Sequence, residues 1–181
     1  MKKFKKIIGS AFIPVTLILI ISLSRIIPHP YNFTPVLAVG IFSGFYFKQF
    51  FLSFFIILFS MFIGDLYFGF HNTMLFTYFA LAIPVIIGIF IKKFKFHEIL
   101  IASLVSSVCF FLITNFGVWI VLDIYEKSLE GLMNSYTLAL PFFHNTLIST
   151  FLYTLVFKFL FDFFINKKKY KVFLNNRKFS E

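Results

Sequence analysis

One cysteine, Cys109, stands in the whole chain. A single thiol excludes an internal disulfide and any zinc site built on a cysteine cluster. Acidic residues are scarce too, with seven Asp and Glu among 181 residues, and charged residues of both signs make up only 13%. A soluble domain carries about a quarter charged residues, so there is too little charge here to cover a water-facing surface. The four histidines form no H-x-x-x-H or H-E-x-x-H pair, the spacing that sets two imidazoles on one helix face for a metal. No G-x-x-x-x-G-K-[ST] run is present, which excludes ATP hydrolysis through a P-loop by this chain alone.

Apolar residues are abundant instead. They make up 60% of the sequence, thirty-two of them phenylalanine, and the mean hydropathy is +0.92. The solvent implied is lipid, so the chain is expected to be a multi-pass protein of the cytoplasmic (inner) membrane with the bilayer as its first partner. The phenylalanine excess accompanies abundant Lys, Ile and Asn and reads as compositional bias, not as thirty-two functional choices. A net charge of +10 would suggest nucleic acid for a soluble protein. Here the basic residues stand at the ends of apolar runs, as membrane orientation requires, and no nucleic-acid partner is expected.

Hydropathy predicts six transmembrane helices, at about 7–24, 33–47, 50–64, 73–91, 99–122 and 138–165, in an all-α bundle. The bundle forms one transmembrane domain over 1–181, and residues 166–181 are a basic cytoplasmic tail. The first run, behind Lys2, Lys3, Lys5 and Lys6, has the outline of a signal peptide. It is long for one and lacks an Ala-x-Ala site, which favours a retained helix. Three prolines make "RIIPHPYNFTP", residues 25–35, a structured loop. The second span covers only about 22 Å of a core about 30 Å thick, so it is expected to lie among other helices. "DIYEKSLEGLMNSY", residues 123–136, reads as a polar loop. With both termini inside, every one of the seventeen basic residues except Arg25 and Lys127 falls on or near the inner side, the expected positive-inside bias.

"SMFIGDLYFGFHNTM", residues 60–74, ends an apolar run with an acid, two glycines and a histidine. In this topology it lies at the outer end of the bundle. So do the other unusual polar residues, which makes Arg25, His29, Asn32, Asp65, His71, Asn72, Asn115, Trp119, His144 and Asn145 the candidate ligand-binding set. Polar groups at membrane depth face the interior or a watery cavity, so an outward-facing polar pocket is predicted. Arg25 could balance Asp65 or fork onto an anionic ligand group. The structural alternatives are an Asp65–Arg25 pair or a cap near Thr73, a helix–helix hydrogen bond for Asn115, and interfacial anchoring for Trp119. His29, His71 and His144 with Asp65 could form a metal site, but no spacing supports it, so no metal and no cofactor is expected. Gly40 with Gly44, and Ser60 with Gly64, are small pairs suited to close helix packing, and Gly69 suits a tight turn.

"NFTPVLAVGIFSG", "GDLYFGFHNTMLFTY", "FFLITNFGVWI" and "EGLMNSYTLALPFFHNTL" resemble the motifs of an uncharacterised family of bacterial integral-membrane proteins, over about Arg25 to Phe157. More loosely, the six-span plan with a proline-initiated, small-residue segment is similar to the substrate-binding S components of energy-coupling-factor transporters. That resemblance implies capture of a vitamin or metal ion outside and association with a transmembrane coupling protein and ATPases. It also implies that "TPVLAVGIFSG" packs on the coupling subunit. The expected function is a substrate-binding or transport subunit with no enzymatic activity. The alternatives are a structural or assembly protein without ligand, and an intramembrane enzyme or metal-binding protein using His71, His144 or Asp65.

Overall fold

The computed structural model describes residues 2–177, with side chains over residues 13–163. Among them every regular element is an α-helix: α1 Lys2–Ile26, α2 Val36–Phe47, α3 Phe50–Phe68, α4 Met74–Ala80, α5 Ala82–Phe90, α6 Phe96–Val121 and α7 Leu129–Arg177. Phe50–Phe68, Phe96–Val121 and Leu129–Phe163 are long and apolar enough to cross a bilayer. Ile13–Ile26, Val36–Phe47 and Met74–Phe90 are shorter apolar stretches. The all-helical, membrane-embedded character read from composition thus holds, in six apolar segments of unequal length.

The core is built around α2. Residues 36 to 44 are all buried, and α5 is its chief neighbour, with α7 and α3 alongside. Glycines bring α2 and α5 together backbone to backbone. A Cβ on Gly44 would strike the Val85 carbonyl, and one on Gly88 would strike the Ile41 carbonyl. Twelve residues rise only about 18 Å, less than a bilayer core of about 30 Å, and α2 lies among other helices. α1 packs on α3 and α6 on α7.

Three boundaries differ from the sequence expectation. The segment over 73–91 is two helices, broken at Leu81. Pro84 has no N–H for the carbonyl of Ala80, four residues back, so the ladder fails there. α3 runs on to Phe68 and closes at Gly69, whose φ of 96° favours glycine and whose amide donates to the Asp65 carbonyl at 2.9 Å. Asp65 is therefore a helical residue. α7 begins at Leu129, inside the stretch expected to be a loop, because Ser128 caps it: its Oγ accepts from the Gly131 amide at 3.1 Å. At the other end α7 stays helical to Arg177, through most of the expected tail. The last four residues of that tail lie outside the described residues.

Two lysines finish neighbouring helices. Lys48 follows α2 with φ 54°, and its ammonium donates to the carbonyls of Ile89, at 2.7 Å, and Ile91, at the end of α5. Desolvation lowers its pKa from the ordinary lysine value, an effect partly offset by Glu98. Lys127 donates to the carbonyls of Leu122, at 2.7 Å, and Trp119, at the end of α6. Cations at helix C-termini are favoured by the helix dipole.

Candidate functional site

Arg25 lies in the last turn of α1 and reaches across to α3. Its Nη2 donates to Asp65 Oδ1 at 2.7 Å, and its Nη1 donates to the Met61 carbonyl at 2.8 Å. Gly64 makes the crossing possible, since a Cβ there would strike the Arg25 guanidinium. The second Asp65 oxygen accepts from the Tyr78 hydroxyl, on α4, at 2.6 Å. Asp65 is 1% exposed, so it depends on these partners: a buried carboxylate is tolerated when both oxygens are paired. The charge therefore does not stand in open space. Of the alternatives weighed for Asp65, the Arg25 pair is the one formed.

Beside this lock lies a cavity of about 680 Å³. Its walls come from the end of α1, the 27–34 loop, the first turn of α2 and parts of α3, α4, α6 and α7. Five of the ten candidate residues line it: Arg25, His29, Asn32, His71 and Asn115. Asp65 is behind Arg25 and does not. Neither lining histidine faces a carboxylate. The Nδ1 of His29 is 2.6 Å from the Ile27 carbonyl, and that of His71 is 3.0 Å from Thr73 Oγ1. Asn115 donates to the Phe111 carbonyl at 2.8 Å within its own helix, rather than across to another.

The loop over the cavity is tied to α7. Asn145 donates to the Tyr31 carbonyl at 2.9 Å, and Ser149 to the Asn32 carbonyl at 3.5 Å. The Tyr31 ring meets Phe142 edge-on with centroids 5.8 Å apart. Asn145 thus acts on the loop and is not itself in the wall. Three further candidates stand apart from the cavity. Asn72 and His144 are exposed, and Trp119 donates its indole N–H to the Glu126 carbonyl at 2.9 Å, tying the 122–128 turn back to α6.

Sequence reading left the threonines out of the candidate binding set. Thr34, Thr77, Thr114, Thr146 and Thr150 line the cavity, five of the nine in the chain. Only five of its thirty-two phenylalanines do so, which is what their abundance alone would place there. The signal available was periodic: Thr146 and Thr150 stand four residues apart on one helix face. Tyr78 was missed as well. Among the described residues no three of His, Cys, Asp and Glu come together in a way that could hold a metal ion.

A family model described as a family of unknown function, DUF6580, matches residues 5–173. No curated protein and no solved structure matches the chain significantly.

Proposed function

The chain belongs to the family of unknown function DUF6580, which brings no activity with it, and we propose from its own geometry that it is a membrane-embedded binding subunit of a transport system. It crosses the bilayer six times with both termini in the cytoplasm, and its cavity receives a small molecule from the outer side. The observation that carries this reading is the separation of charge from space. Arg25, Asp65 and Tyr78 satisfy one another at the wall, and about 680 Å³ is left open beside them. An ion-pair plug would use the same residues to fill the space. The volume falls within the range of about 300–1,000 Å³ typical of ligand pockets, which are largely apolar with a few polar groups.

Without a P-loop, ATP-driven transport by that route would draw on a partner, and a transmembrane coupling protein with ATPases would serve. Burial of α2 argues against docking such a partner on "TPVLAVGIFSG", because Gly44 and Gly88 already join that helix to α5. A coupling protein would contact a lipid-facing or cytoplasmic surface instead.

The test is to purify the protein into lipid nanodiscs, denature it and identify released small molecules by mass spectrometry. A stoichiometric non-lipid molecule is expected, lost from the Asn115→Ala variant while that variant still melts cooperatively. Recovery of lipid alone, with the cavity occupied by an acyl chain, would overturn the reading in favour of a structural or assembly protein.

A further inference from the structure

The cavity wall also restricts the chemistry of what it can hold. Among the lining residues only Arg25 carries a permanent charge, and its counter-ion is already in place at 2.7 Å. A second net charge of either sign would enter an apolar site without compensation, which is costly. The wall therefore favours an uncharged occupant.

The helical threonines of its wall are biased toward acceptance. The hydroxyls of Thr77, Thr114, Thr146 and Thr150 each donate to the carbonyl four residues back, at 3.3, 2.8, 3.0 and 2.6 Å. A hydroxyl has one proton and two lone pairs. With the proton engaged, what Thr77, Thr114 and Thr146 can offer a ligand is an oxygen lone pair, whereas Thr150 is fully buried. Asn115 has spent one of its amide hydrogens on Phe111, and its carbonyl oxygen adds a further acceptor. The concentration of threonine here exceeds what composition explains, as the phenylalanine count does not. The rings still shape the space, whatever put them there, and Phe68, Phe110, Phe111, Phe142, Phe143 and Tyr31 offer faces and edges to a flat molecule.

Resting on the reading of this cavity as a ligand site, we propose that its substrate class is uncharged, flat heterocycles that carry N–H donors. Such a molecule places its hydrogens on the threonine oxygens and its ring among the aromatic side chains. Carboxylates and phosphates are disfavoured because the one permanent cation in the wall, Arg25, already holds Asp65.

The test uses the full-length protein in nanodiscs and calorimetric titration with four probes. Theophylline and adenine are uncharged rings with N–H groups. Caffeine is theophylline methylated at its N–H, and theophylline acetate carries a carboxymethyl group there. At least one of the first two is expected to bind, and caffeine and theophylline acetate at least about tenfold more weakly, the value of one lost hydrogen bond. Thr114→Val and Thr146→Val, each nearly isosteric, should weaken the donor-bearing probe and leave any residual caffeine binding unchanged. Equal or tighter binding of caffeine or theophylline acetate would overturn the proposed class while leaving the ligand-site reading intact. Silence of all four probes, on protein shown to melt cooperatively, would overturn the proposed class, and the ligand-site reading would then be decided by the molecule released from the purified protein.

Discussion

Asp65 and Arg25 lie forty positions apart and yet were recognisable as partners, because charge is so rare in this chain that few others were on offer. Their third member was not recognisable: Tyr78 is one of eight tyrosines, and nothing in its neighbourhood distinguishes it. The threonines escaped for a related reason. Hydropathy treats threonine as nearly neutral, and one that bonds its own backbone is an ordinary helix residue until its neighbours leave a space beside it. Burial sets the size of the mutational effects. Asp65→Asn leaves Arg25 without its counter-charge and is expected to cost about 3 kcal/mol, measured as loss of unfolding free energy in mild detergent. Tyr78→Phe should cost about 1–2 kcal/mol by the same measurement, because one acceptor on a buried carboxylate loses its donor. In the double variant Arg25→Met with Asp65→Leu, the loss should be smaller than the sum of the two single losses, as expected when each single change strands a charge.

At the scale of elements, the apolar segments were legible because hydropathy over a long run outweighs any single residue. Their ends were not. The 123–136 stretch is polar enough to read as a loop, yet Ser128 followed by Glu130 is a helix-start pattern, and the cap decides the matter. Ser128→Ala is therefore expected to destabilise by about 1 kcal/mol and to speed amide exchange in the first turn of α7. The small-residue pattern in α2 correctly signalled close packing but could not say against what. The answer is α5, so Gly44→Ala and Gly88→Ala should each disrupt folding. Ala substitution at Gly69, which has open space around it but φ 96°, should cost only about 1–2 kcal/mol of backbone strain. The contrast can be read from the yield of monodisperse protein in detergent.

For the whole molecule, the charge bias had two exceptions, Arg25 and Lys127. Both turn out to be occupied, Arg25 by Asp65 and Lys127 by the carbonyls that end α6. The lysine-rich ends predict cytoplasmic termini by the positive-inside rule. With Cys109→Ser as background, single cysteines at positions 127 and 169 should separate the two faces of the membrane. A membrane-impermeant thiol reagent applied to intact cells is expected to label position 127 and to reach 169 only after lysis. Labelling of 169 in intact cells would invert the orientation and turn the cavity toward the cytoplasm.

The burial of α2 also has a consequence in time. A ribosome adding about 5–20 residues per second completes Gly88 some 2–9 s after Gly44. Throughout that interval α2 has been synthesised without the partner its glycines fit, and it is too short to cross the bilayer unaided. It must wait at the membrane surface, beside α1, or in the care of the insertion machinery. A nascent chain arrested before α5 emerges should therefore leave α2 open to cross-linking by the insertase, and one arrested after α5 has emerged should withdraw it.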